Sequence, residues 1–222
     1  YGASETARDS AELLPAIERL SHSIRERTGE SLASIQAGDS LWSFTTSSLR
    51  ALRKHMAGTR ALQRGDFARS AELLSEAIAL DSEFAYAHLA LATALENGGQ
   101  PRGRFLPERV RAYALRAGLT DRERYAVEGV YHLRVTGDIR KSIVAFQNHV
   151  EELRRTGEGG WYGTLGFLLQ LTGQLHAAEA ILQEARVRFP SAVNQTYLVG
   201  LLYAMGKDAQ ADTVLGEVAT RF

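Results

Sequence analysis

Apolar residues recur along most of this chain at the three- and four-residue steps of an amphipathic helix, and the recurrence is itself repeated. Tyr162, Leu165, Gly166 and Leu169 form one stripe; Leu175, Ala178, Ile181, Leu182 and Ala185 form the next, which stops before Arg188-Phe189-Pro190 because proline cannot continue a helix. Leu198, Leu201 and Leu202, then Ala211, Leu215 and Val218, repeat the arrangement. Between paired stripes stands a glycine followed by a polar residue: Gly65-Asp66, Gly99-Gln100, Gly137-Asp138, Gly173-Gln174 and Gly206-Lys207, at intervals of 34, 38, 36 and 33 residues. A period of this length predicts a series of helical hairpins, each stacking on its neighbours. Leu165, Leu182 and Leu201 are expected in the core.

Two stretches depart from the pattern. Gln100-Pro101-Arg102-Gly103-Arg104-Phe105 reads as a polar loop lengthening the second hairpin, with the following helix from Leu106 to Leu119 and Pro107 in its first turn. Thr120 with Glu123 reads as a capping box opening a helix that continues from Tyr125 to Thr136. Ahead of the hairpins, Leu13, Ile17, Leu20 and Ile24, continued by Leu32 and Ile35, predict an N-terminal amphipathic helix that can break at Gly29. Gln36 to Thr46 then reads as a connector pinned by Trp42 and Phe44, with Thr46 or Ser47 capping the next helix.

These residues resemble the tetratricopeptide repeat, a helix pair of 34 residues in its family form, over roughly residues 51–222. Small residues fall at the family's positions in the first helices: Gly58, Ala92 and Gly166, with Val130 and Val199 as departures. In the second helices the small positions are Ser70 and Ala77, Ser142 and His149, Ala178 and Ala185, and Ala211 and Val218; Leu74, Phe146, Leu182 and Leu215 lie between them. The turn proline is present only as Pro190, with Ser82 in its place after the first unit. The resemblance implies an all-α fold, a right-handed α-solenoid of about five hairpins over approximately 49–84, 85–119, 121–156, 159–190 and 192–222, preceded by the N-terminal helix and connector of 1–48. Segments 14–32, 45–52 and 120–131 also resemble the junction and repeats that follow the catalytic domain in bacterial eukaryotic-like serine/threonine kinases. The opening Tyr1-Gly2-Ala3-Ser4-Glu5 carries neither an initiator Met nor a basic segment leading into an apolar one, and reads as part of a longer chain.

Composition narrows the chemistry. The 222 residues hold 26 Lys plus Arg against 26 Asp plus Glu and no cysteine, so thiol nucleophiles and Cys-ligated metal sites are excluded. Zero net charge argues against nucleic acid and against electrostatic membrane binding. The apolar runs are too short to span a bilayer, which needs about 20 residues. His22, His55, His88, His132, His149 and His176 form no i, i+4 pair and read as surface or packing residues. The glycines of Gly157–Gly166 lack the Lys-Ser/Thr ending and preceding strand of a phosphate loop, and read as a turn followed by helix-packing positions. No enzyme, cofactor or metal site is expected.

A hairpin solenoid presents its first helices along a groove. By repeat position, and taking from the resemblance which positions face that groove, the candidates are His55, Thr59, Tyr86, Leu89, Thr93 and Asn97, then Arg124, Val127, Tyr131 and Arg134, then Gly163, Phe167 and Gln170, and last Thr196 and Tyr203. His55 and Thr59 replace the Lys and Asn of a clamp for chaperone C-termini, so chaperone tails are not the expected partners. The stretch 66–96 has a balance of −5 and the stretch 102–124 one of +4. These are either solvated helix faces or, at Arg102, Arg104, Arg109 and Arg111, a basic patch that docks an acidic or phosphorylated segment. The expected function is a protein-binding or scaffolding module of a larger bacterial signalling protein, cytoplasmic or extracytoplasmic, with a small-ligand-sensing array as the alternative. A homodimer through the apolar edge of the last hairpin is a further expectation.

Overall fold

The computed structural model describes residues 4–6, 8, 12, 16, 17, 19, 20, 23, 24, 46, 48–156 and 160–221. The expectations for Gly29, Leu32, Ile35, Trp42, Phe44 and Ser47, and most of those for the N-terminal helix, fall outside these residues. Among the described residues the fold is all-α, ten helices in consecutive hairpins, and the chain divides into two compact units, 1–120 and 121–222.

In the first unit α1 (Leu49–Gln63) pairs with α2 (Phe67–Leu80), α2 packs on α3 (Ala85–Asn97), and α3 pairs with α4 (Arg102–Ala114). In the second, α5 (Asp121–Tyr131) pairs with α6 (Ile139–Thr156), α7 (Tyr162–Leu171) with α8 (Leu175–Arg188), and α9 (Ala192–Ala204) with α10 (Asp208–Arg221). Ser48, Asp66, Asp138 and Ser191 cap helix starts, each accepting from the N–H three residues on at 3.1 to 3.2 Å. The cap of α1 is therefore Ser48; Thr46 Oγ1 instead accepts from the Ser48 N–H at 3.1 Å.

All five repeat glycines stand in the left-handed region, with φ of 78° at Gly65, 71° at Gly99, 72° at Gly137, 79° at Gly173 and 69° at Gly206. This is why glycine recurs there: a side chain is strained in that conformation, and only there does the chain turn back within one residue. In four turns the residue after the glycine donates to the carbonyl five residues back, as in Asp66 N–H to Ala61 O at 3.0 Å and Gln174 N–H to Leu169 O at 2.9 Å. The third turn differs. There Asp138 N–H donates to Thr136 Oγ1 at 3.3 Å, and His132–Thr136 forms a π-helical turn.

The π turn has a countable cause. Seven residues separate Gly58 from Gly65, Ala92 from Gly99 and Gly166 from Gly173, but the small residue facing the second helix of the third hairpin is Gly129, eight before Gly137. A π turn closes on the residue five along instead of four, so it absorbs the additional one. Gly129 displaces Val130 from the expected small position: a Cβ there would lie 2.7 Å from Phe146 Cε1, and Ser142 Oγ donates to the Gly129 carbonyl at 2.8 Å. Gly58 and Gly166 make the same notch for Leu74 and Leu182.

The second hairpin corrects two further expectations. Its second helix begins at Arg102, directly after Pro101, so there is no extended loop and Pro107 sits inside α4. The helix ends at Ala114 and a 3-10 turn, Arg116–Gly118, follows. Arg104 is exposed at the position filled by Ser70, Ser142, Ala178 and Ala211 elsewhere, and the buried face of α4 turns by one residue to carry Arg109 and Ala112. In the last hairpin Val214 is buried and Leu215 is 49% exposed, against the expectation for Leu215, because Val199 leaves no notch to receive it.

Candidate functional site

Within the first unit, α1 and α3 bring two candidates, His55 and Tyr86, together. The His55 ring lies 4.9 Å from that of Phe84 and 6.4 Å from that of Tyr86. Burial lowers the His55 pKa to about 4, so the ring is a neutral packing group at physiological pH. Thr93 Oγ1 donates to the Leu89 carbonyl at 3.0 Å, and Leu89 itself is buried. Thr59 is partly buried and Asn97 is exposed at the end of α3. Against the other side of α3, a cleft of about 570 Å³ lies between α2 and α4, floored by Ala71, Leu91 and Ala94 and edged by Glu72, Arg104 and Glu108.

The basic patch is not a patch of four. Arg109 is buried in an ion pair with Glu96 and lies 5.1 Å over the Phe105 ring, so it belongs to the interior of the hairpin. Arg104 donates to Gln100 Oε1 at 3.0 Å, and Arg102 and Arg111 are exposed.

In the second unit the one-residue offset at Gly129 moves the α5 candidates off the face assigned to them. Val127 is 1% exposed and is a core residue. Arg124 pairs with Asp121 at 2.8 Å and lies 5.2 Å over the Tyr125 ring. Tyr131 is half-buried with its ring 5.6 Å from that of His132, and Arg134 is exposed in the π turn.

The faces of α7 and α9 do converge. Gly163 lets the two first helices approach, since a Cβ there would lie 2.8 Å from both Asn194 Oδ1 and Tyr197 Cδ2. One helical turn on, the Phe167 ring is 43% exposed and stands 5.7 Å from the Tyr197 ring. Leu171 on α7 and Val193 on α9 are exposed beside them, while Gln170 is half-buried. Tyr203 is exposed and its hydroxyl donates to Asp212 Oδ1 at 2.5 Å; Thr196 Oγ1 is turned to the Ala192 carbonyl at 2.9 Å. Sequence reading missed Tyr197, Leu171 and Val193. Leu171 lies four residues after Phe167 and so shares its face, but the Phe167–Tyr197 contact spans 30 residues and no local pattern announces it.

On the second helices the same unit is tied by ion pairs. Arg154 forks onto Glu184 with contacts of 2.6 to 3.1 Å, and Arg186 onto Glu217 with contacts of 2.6 to 3.2 Å. Among the described residues no helix is long and apolar enough to cross a membrane.

No protein-family model and no curated protein matches the chain. Solved structures do. A chain from Podosopora anserina described as kinesin light chain nearly identical TPR-like repeats superposes with a TM-score of 0.52 at 19% identity, covering 77% of this chain and 93% of that one. MamA from Desulfovibrio magneticus RS-1 gives 0.49 at 16% identity, covering 78% and 95%. With the left-handed turn glycines and notched hairpins, the first of these defines the fold as a TPR-like helical repeat.

Proposed function

We propose that the chain is a non-catalytic protein-binding module whose docking surface in the second unit is the α7–α9 face. The observation that carries this reading is the pair Phe167 and Tyr197: two aromatic rings from successive first helices, one of them 43% exposed, set side by side on a rigid hairpin pair. Aromatic side chains dominate binding energies because they bring large apolar area with few torsions to freeze. Leu171, Val193 and Tyr203 extend the apolar surface, and Gln170 supplies a polar group, so a peptide segment with spaced apolar side chains fits its chemistry. Repeat modules of this fold generally bind proteins. The wider role, a docking region of a larger bacterial signalling protein, is supported by the sequence resemblance of segments 14–32, 45–52 and 120–131. Peptides selected from a random display library on the intact chain test the docking face. Phe167→Ser should weaken them by about tenfold or more with an unchanged melting temperature; selected peptides indifferent to Phe167→Ser and Tyr197→Ser exclude this face.

A second reading, a small-ligand-sensing array, rests on the 570 Å³ cleft of the first unit, a volume in the range of ligand sites. A metabolite that raises the melting point of the wild type but not of Ala68→Phe, an exposed position lining the cleft, would support it; a broad thermal-shift screen without a hit counts against it.

A further inference from the structure

Helix α1 contains no acidic residue, and one of its faces carries Arg50, Arg53 and Arg60, continued by Arg64 at its C-cap. The steps of three, seven and four residues place all four on one side, along about 21 Å of helix. All four are exposed. The one hydrogen bond formed by their guanidinium groups among the described residues is Arg60 Nε to the Met56 carbonyl at 3.3 Å. Among the described residues no carboxylate pairs with any of them, whereas Lys54, on the neighbouring face, is paired with Glu76 of α2.

The repeat gives this face a meaning. Aligned on the turn glycines Gly65 and Gly99, Arg50, Arg53, Ala57 and Arg60 correspond to Phe84, Ala87, Leu91 and Ala94 of α3, all buried. Phe84 and Ala87 share a cluster with Ala77 of α2, and Leu91 and Ala94 share one with Leu74 of α2, so this side of a first helix receives the preceding second helix. Ala57 and Arg60 likewise correspond to Leu165 and Leu168 of α7 and to Leu198 and Leu201 of α9, none of them exposed. The same face is thus shaped to take a helix and, in α1, is charged where the others are apolar.

We infer that the arginine face of α1 is a docking surface for a helix with an acidic stripe, a partner segment carrying Asp or Glu at three- and four-residue spacing that stacks where a preceding second helix would lie. Four arginines in a row favour carboxylates, which the guanidinium fork grips through two hydrogen bonds. A membrane surface fits less well because Met56 is the one large exposed apolar side chain of α1. A single-stranded nucleic acid fits less well because the aromatic ring of this helix, His55, is turned against Phe84 and Tyr86 and offers no stacking platform. This surface is independent of the α7–α9 face.

The test is fluorescence anisotropy on the full chain with a labelled, alanine-based peptide of about 18 residues bearing Glu at the matching spacing. A second peptide of the same composition has a central proline that breaks the helix. The helical peptide should bind, should be released by added salt, and should lose about tenfold in affinity with Arg53→Ala plus Arg60→Ala but less than about twofold with the exposed control pair Arg102→Ala plus Arg111→Ala. Both pairs lie on the surface, and unchanged circular dichroism and melting show that folding is intact. The inference is overturned if the helical peptide does not bind, if both variant pairs weaken it equally, if the proline peptide binds as well, or if phosphatidylserine vesicles or oligonucleotides compete it away at lower concentration than the unlabelled peptide.

Discussion

Leu182 occupies the space that a side chain on Gly166 would need: a Cβ built on Gly166 falls 2.5 Å from Leu182 Cγ and 2.6 Å from its Cδ2. Gly166→Ala must push Leu182 out of its site, at about 1–3 kcal/mol, against which alanine's better helix propensity returns up to about 1 kcal/mol. A net loss of about 1–2 kcal/mol in urea denaturation is expected. Gly200→Ala, also in a first helix but with nothing within 4 Å of its Cβ, should stabilise by up to about 1 kcal/mol. Equal losses at the two sites would refute the notch. Leu182→Ala alone should cost about 2–5 kcal/mol, and the double variant less than the sum.

The second hairpin holds a charge where the other hairpins hold a hydrocarbon. Arg109, 3% exposed, pairs with Glu96, 29% exposed. Arg109→Ala leaves that carboxylate facing the interior and should cost about 3 kcal/mol, at the lower end for broken buried pairs because Glu96 retains some water. Arg109→Met with Glu96→Leu removes both charges and should recover stability to within about 1 kcal/mol of wild type or exceed it. Chemical denaturation of the three chains decides; a double variant as unstable as Arg109→Ala would show that the pair itself carries the stability.

If the π turn exists to absorb one residue, removing one should be tolerated there and nowhere equivalent. Deletion of Arg134 restores the seven-residue spacing from Gly129 to Gly137 and should leave helicity and cooperative melting in place. Deletion of Gln170, between Gly166 and Gly173, rotates all that follows by about 100° and should abolish the cooperative transition of the second unit. Similar damage from both deletions would rule out the absorbing role.

Acid should weaken the second unit through His149. Its Nδ1–H donates to the Arg122 carbonyl at 2.7 Å, and burial lowers its pKa from 6.5 to about 4. A depressed histidine is neutral in the folded state, so its contribution is complete above pH 6.5 and is lost as pH falls towards 4, by up to roughly 3 kcal/mol. His149→Asn, which retains an N–H donor without a titrating ring, should flatten the stability profile between those values. An unchanged slope would place the acid sensitivity elsewhere.

The hairpin pattern was legible because its signals are local. The turn glycines answer a backbone demand that falls on single positions, and Gly58, Gly166, Leu74 and Leu182 lie within one hairpin at helical spacing. The third unit was read one residue late: Gly129 and Val130 are adjacent, small enough and both buried, and only the volume of Phe146 selects between them. Pro107 misplaced the start of α4 because proline is commonest in a first turn, yet Pro101 begins this helix and Pro107 is carried inside it. At the candidate site, Phe167 and Tyr203 followed from repeat position. Their neighbour Tyr197 did not, since its ring meets Phe167 across two helices.

The interlocks between Gly58 and Leu74, Gly129 and Phe146, and Gly166 and Leu182 join residues only 16, 17 and 16 apart in sequence. Closing so short a loop costs little chain entropy, and proteins rich in such near-neighbour contacts fold fast. Each of these hairpins can therefore zip soon after its last residue leaves the ribosome, before the next hairpin has been made. Within a unit, the apolar side of the next first helix then meets a partner that is already in place, which shortens the time that side spends open to aggregation during synthesis.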